Sequence, residues 1–321
     1  MKTIHSIVKN AALAALFSMP CFSCNGSPSA TSKEQNNTSK PDTAVHPSQT
    51  NEAQPADSIL SHTVYTKADS TKVVELLSLS PTGKSDVLFF ARQFKGIPYV
   101  ASTLEAKDPE ELIVNLQELD CTTLVETTLA LTLTHREGGT SFTDYCRNLM
   151  KIRYRKGIMD GYLSRLHYFT WWMHDNIDKG LIEEVKDNVH FTAPINVSNS
   201  YMSQHADKYP LLVKHPEWVD SIRTMEQAQN GKGGTYLPEK STGLGKQRLS
   251  AIHDGDIVAI VTRKAGIDYS HLGFAVWAGD GKLHLLNASS IHHKVVEEPK
   301  TLRQYLSEHS SSIGIRLFRL K

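Results

Sequence analysis

A chain of 321 residues with 35 Lys and Arg against 34 Asp and Glu carries a formal charge of +1. That balance leaves no electrostatic footprint for a phosphate backbone, so no nucleic-acid partner is expected. At 40% hydrophobic and 21% charged residues the bulk is globular, no run of eighteen apolar residues offers a membrane span, and four cysteines are too few for a disulfide scaffold.

The chain opens with Lys2 and Lys9 around a short polar start, followed by an apolar stretch, Ala11–Met19, the proportions of an export signal. It ends at Ser23-Cys24, which resembles a bacterial lipoprotein cleavage box, although Cys21 stands three positions earlier, where such boxes usually carry Leu. Residues 1–23 are therefore expected to be a signal and Cys24 a lipidation site, with a plain secretory signal as the alternative. Acyl chains on Cys24 would make the protein an exported envelope lipoprotein, periplasm-facing or at the outer membrane, tied to a bilayer it does not cross. Residues 24–57 are rich in Ser, Thr, Asn, Gln and Pro with no aromatic, a composition that cannot offset its ordering entropy and reads as a tether. The folded domain is then 58–321.

Within it, residues 58–80 read as a short strand or helix and then an amphipathic helix carrying Val73, Val74, Leu76 and Leu77. Ser85–Phe94 reads as a helix stopped by Gly96-Ile97-Pro98. Leu124–Leu133 has the clearest helical stripe, closed by Gly138-Gly139; Asp120 or Thr122 could cap it, and Thr123–Glu126 offers a capping box that would start it slightly later. Leu163–Ile177, rich in aromatics, reads as a second long helix. Toward the C-terminus the period changes to two, giving strands at Ile257–Thr262, His271–Trp277, Lys282–Asn287 and Ser312–Phe318. Helices followed by an antiparallel sheet is the α+β order.

Asp120-Cys121 lies directly before the clearest helix. Unpaired N–H groups and the macrodipole at a helix start favour a thiolate, which can bring a thiol pKa from roughly 8.5 to about 3.5–7.5. A cysteine nucleophile also needs an imidazole and a third polar group to fix the ring. His271 opens one strand, and Asn287 ends the next beyond the turn Gly279-Asp280-Gly281. On position alone each of the three is as easily structural.

Gly96-Ile97-Pro98-Tyr99-Val100, Asp120-Cys121, Gly255-Asp256-Ile257-Val258, His271-Leu272-Gly273 and Asn287-Ala288-Ser289 follow the order of motifs in NlpC-type cell-wall hydrolases, which the chain resembles. The resemblance implies a papain-like arrangement of helices on an antiparallel sheet, with Cys121 as nucleophile, His271 as base and Asn287 as orienting residue. It also implies Tyr99 beside the nucleophile. Many of these enzymes have His at the third position, so His284 is an alternative, although it falls on the opposite face of its strand. Cys121 and His271 are 150 residues apart, which implies a large helical or loop insertion at about 136–250. Within it, Tyr154–Gly157 and Gly161–Tyr168 resemble the N-acetylmuramoyl-L-alanine amidase branch. That branch implies cleavage of the bond between N-acetylmuramic acid and L-alanine in peptidoglycan or its soluble muropeptides. Arg165 would suit a substrate carboxylate or a structural ion pair, and His167 would line the cleft. Tyr168, Trp171 and Trp172 would stack on a sugar or fill the core.

No cofactor or metal is expected: the histidines form no H-E-x-x-H, and Gly83-Lys84-Ser85 lacks the first glycine of a phosphate loop. Gly231–Gly234 and Gly243–Gly245 read as an exposed loop able to cover the cleft, and Cys146 as a buried thiol. A monomer is favoured. A stem-peptide endopeptidase cutting after D-glutamate, and a lipoprotein that binds wall fragments without cleaving them, stand as alternatives.

Overall fold

The computed structural model describes residues 56–321; the signal, Cys24 and nearly all of the tether lie outside the described residues. These residues form one compact unit. It opens with α1 (Ala56–Leu60), a two-residue strand β1 (Thr63–Val64) and α2 (Lys67–Leu77). Thr66 and Asp69 cap α2 reciprocally, and Val73, Leu76 and Leu77 are buried. Val74 faces out instead, at 45% exposure. Next come α3 (Asp86–Arg92), capped by the Ser85 hydroxyl, and β2 (Leu112–Ile113), which pairs parallel with β1.

The central helix is α4 (Cys121–Arg136), buried from Thr123 to Thr134. Its six β-branched threonines are weak helix formers, so tertiary burial rather than propensity holds it. The Thr132 and Thr134 hydroxyls donate back to the Thr128 and Ala130 carbonyls, which lets polar side chains sit in the core without a lost hydrogen bond. Beside it lies α5 (Phe142–Arg153), started by a Ser141–Asp144 capping box and burying Cys146 and Leu149.

The segment at 163–177 departs from the expected single helix. Gly161 takes φ +69°, Arg165 and Tyr168 are extended on either side of a tight turn closed by His167 N–H and the Arg165 carbonyl, and Leu166 N–H donates to Arg153 O. A single 3-10 turn, Tyr162–Ser164, precedes this stretch, and the α-helix is confined to α6 (Phe169–Asp178). The segment between α6 and the C-terminal sheet also differs from a helical or loop excursion. Besides α7 (Tyr201–Gln204), α8 (Pro210–Lys214) and α9 (Trp218–Gln229), it supplies β3 (Ile182–Val185), β4 (Ala193–Asn196) and β5 (Gly233–Pro238). The glycine-rich run at 231–234 thus feeds a strand, and neither it nor 243–245 borders the cleft described below.

The remaining strands are β6 (Ile257–Thr262), β7 (Tyr269–Trp277), β8 (Leu283–Ser289), β9 (Lys294–Glu297) and, after α10 (Leu302–Ser307), β10 (Ser312–Leu320). They join an eight-stranded antiparallel sheet ordered β4-β5-β10-β6-β7-β8-β9, with β3 also on β10. Alternation divides the sheet into two cores. Leu272, Phe274, Val276 and Leu286 pack with α2–α6, whereas Ala275, Trp277, Leu285 and Leu317 pack with Leu302 and Leu306 of α10. At Gly273 the strands approach closely: a Cβ there would lie 2.6 Å from the Leu286 carbonyl and 3.1 Å from the Asn287 Cβ. The missing side chain leaves room for Asn287 to lie across β7.

Candidate active site

The start of α4 is built by Asp120 rather than by Thr123–Glu126. Asp120 is the N-cap: its carboxylate accepts from Thr123 N–H at 2.8 Å, while its own N–H donates to the Thr123 hydroxyl at 2.8 Å. Cys121 is therefore the first helical residue, and its N–H is one of the helix's orphan donors. The thiol is half-buried and is approached by the N–H of Leu272 on β7.

Its acidity runs against the expectation from the helix terminus. Burial, and then the neighbouring Asp120 carboxylate, push the Cys121 thiol up to about 12, outweighing the donors at Leu272 and Thr122. Asp120→Asn tests this cause, because asparagine keeps the cap but removes the negative charge. Loss of that charge relieves the thiolate, so the thiol pKa falls. Iodoacetamide alkylation rates, followed from neutral to alkaline pH, are expected to rise at lower pH in the variant.

His271 is half-buried on β7, and desolvation lowers its imidazole below 6.5 against the opposing pull of Asn287 and Glu298. Its Nε2–H donates to Asn287 Oδ1 at 2.9 Å. His284, on the opposite face of β8, does not meet His271; its ring nitrogens face the Glu298 carbonyl at 3.0 Å and Asp280 at 3.2 Å. Tyr99 stands near Cys121 but does not line the cleft; burial, with Cys121 and Asp120 nearby, pushes its hydroxyl up to about 12.

Cys121, His271, Leu272 and the cap Asp120 share a cleft of about 340 Å³ with His167, Glu105, Glu126, Arg153, Arg165 and Tyr168. Several expected substrate groups are committed elsewhere. The Arg165 guanidinium contacts Glu105 at 2.9 Å, Glu110 at 3.2 Å and the Leu104 carbonyl at 3.1 Å, so it shapes the wall rather than offering a free cation to a carboxylate. The Tyr168 hydroxyl donates to Glu226 at 2.6 Å and accepts from Met202 N–H at 2.8 Å, which removes it from hydrogen bonding with a ligand. Trp171 and Trp172 are core residues at 1% and 2% exposure, which excludes a sugar platform. His167 does line the cleft; its Nε2–H donates to the Tyr162 carbonyl at 2.8 Å, and burial holds the ring neutral.

Sequence reasoning missed Glu126 and Arg153, paired at 2.7 Å with each side chain 3% exposed. A signal was present, since Glu126 is the only acidic residue of the otherwise apolar and threonine-rich α4. Among the described residues no group of three or more His, Cys, Asp or Glu side chains is placed to hold a metal, and no helix is long and apolar enough to cross a membrane.

Residues 89–315 match the family described as AmiA-like, N-acetylmuramoyl-L-alanine amidase-like. A solved N-acetylmuramoyl-L-alanine amidase from Bacteroides uniformis is 42% identical with a TM-score of 0.69, over 74% of this chain and 98% of that one. A Bacteroides fragilis protein described as a candidate xylanase is 40% identical with a TM-score of 0.66, over 72% of this chain and 99% of that one. A Legionella pneumophila protein, 20% identical with a TM-score of 0.60, shares the fold over 83% of this chain and 97% of its own. No curated protein matches the chain at a significant level. With the match extending from α3 to β10 and enclosing the whole cleft, the chain belongs to the AmiA-like, N-acetylmuramoyl-L-alanine amidase-like family.

Proposed function

We propose that the chain hydrolyses the amide between the lactyl group of N-acetylmuramic acid and the first L-alanine of the stem peptide, by cysteine chemistry. The carrying observation is the Cys121 thiol sharing one cleft with an imidazole held by Asn287, in a member of the amidase-like family. Burial raises the thiol and lowers the imidazole, so the resting pair is neutral. His271 takes the proton as the sulfur attacks the lactyl carbonyl, and the Cys121 N–H receives the oxyanion. His271 then protonates the departing amine of L-alanine, leaving a thioester. Water, deprotonated by His271, resolves it. A lipid at Cys24 would hold this chemistry at an envelope membrane.

A glycosidase reading needs two carboxylates free to act as acid and as base or nucleophile. The cleft's Glu126 and Glu105 are each paired with an arginine, which favours the amidase. Mass spectrometry of products from intact sacculi and from short soluble muropeptides tests the assignment. The expected products are a stem peptide with a free L-alanine amine and a peptide-free sugar. Cleavage after D-glutamate would assign an endopeptidase instead, and uncleaved substrate together with slow Cys121 alkylation would assign a binder.

A further inference from the structure

Behind the His271–Asn287 contact lies a third member. Asn287 is fully buried, and its Nδ2 donates to Glu298 Oε1 at 3.0 Å. Glu298 has a side chain only 3% exposed and stands directly after β9. Its N–H donates to the Leu285 carbonyl at 2.8 Å, and its own carbonyl meets the His284 ring at 3.0 Å. Its second carboxylate oxygen faces His292 Nε2 at 3.2 Å. The Leu285 carbonyl and His284 thus hold the Glu298 backbone, and His292 faces its carboxylate beside Asn287.

A primary amide presents an oxygen on one side and an N–H₂ on the other, and a half-turn exchanges them. In the exchanged state Asn287 Oδ1 would face the Glu298 carboxylate, acceptor against acceptor, and its N–H₂ would face His271. With Oδ1 toward His271, the ring must carry its proton on Nε2, and a neutral imidazole then keeps its lone pair on Nδ1. Only that tautomer leaves a base for the thiol while the asparagine contact is intact.

We propose that Glu298 is a positioning residue for the Cys121 chemistry: by accepting from Asn287 Nδ2 it selects the amide orientation that fixes the His271 tautomer. The inference rests on the cysteine-amidase reading and adds a fourth residue to it, one that touches neither the thiol nor the cleft. It also gives His284 a place, as a clamp on the Glu298 backbone rather than as the orienting residue itself.

The test compares Glu298→Gln and Glu298→Leu in the full chain. Leucine removes the acceptor, so kcat is expected to fall about 10–100-fold while KM stays within about twofold. Nitrogen-15 shifts of His271, assigned with His271→Ala, should change from one tautomer to a mixture. Glutamine can still accept through Oε1, so it should restore the single tautomer and most of kcat. Because the Glu298 charge supports the imidazolium, its loss moves the acid limb of the pH profile to lower pH. A Glu298→Leu protein with native kcat and a single native tautomer overturns the inference. If Glu298→Leu fails to fold, Glu298→Gln decides: an unmoved acid limb counts against the inference. Survival of hydrolysis in Cys121→Ala overturns the underlying reading instead, so the two failures are distinguishable.

Discussion

Cys121→Ala is expected to lower hydrolysis of the muramoyl–alanine bond by at least about 10⁴-fold, the scale seen when a nucleophile is removed from a triad that acts as a unit. In the proposed mechanism the thiol is the group from which His271 takes its proton, and among the described residues no second cysteine borders the cleft. The hydroxyls of Ser102, Thr122 and Ser270 also line it. An alcohol is a far weaker acid than a thiol and would need its own base. The substitution removes one half-buried sulfur without opening the core, so urea unfolding should shift by no more than about 1 kcal/mol. Activity that survives, or that is lost to chelators but not to thiol alkylation, would end the cysteine mechanism.

The largest effect on stability is expected from Arg153→Met. Arg153 Nε donates to Glu126 at 2.7 Å and Nη1 to the Ile113 carbonyl at 2.6 Å, all away from solvent. Removing the guanidinium strands a carboxylate in the core, a loss of about 3–5 kcal/mol. The double variant Glu126→Leu with Arg153→Met should recover much of this, because a buried pair has little net advantage over apolar groups of similar volume. The single variant also acquires a pH signature. Burial already pushes the Glu126 carboxyl above 4.5, and without Arg153 the folded state holds its proton more tightly still, while the unfolded chain ionises near 4.5. Folding then binds a proton, so the stability of the variant falls as pH rises above 4.5 and improves on acidification. Urea midpoints across that range check both the magnitude and the sign.

What could be read from the sequence was what local pattern encodes. The stripe of α4, the Gly96 stop and the period-two runs of β6, β7, β8 and β10 need only neighbours in the chain. His271 and Asn287 emerged through motif order and meet as hydrogen-bonded partners. The errors lie where long-range contacts decide. Arg165 looked available because Glu105 and Glu110 sit on a distant loop, and the same extended stretch delayed the start of α6 to Phe169. Asp120, Thr122 and the Thr123–Glu126 box were all open as caps, and the burial of Glu126 against Arg153 leaves Asp120 with Thr123. The Ser141–Asp144 box that starts α5 was equally local and passed unused.

The position of β10 bears on when the protein becomes competent. The last strand of the chain occupies an interior slot, paired along one edge with β6 and along the other with β5 and β3. A chain still emerging from the ribosome therefore has a gap in the middle of its sheet, with exposed β6, β5 and β3 edges waiting for residues 312–320. The helix that presents Cys121 can form early, whereas β6, which flanks the strand that presents His271, gains its second neighbour only with residues 312–320. The sheet behind the cleft is thus closed only once residues 312–320 are made, later than the helix that carries the thiol.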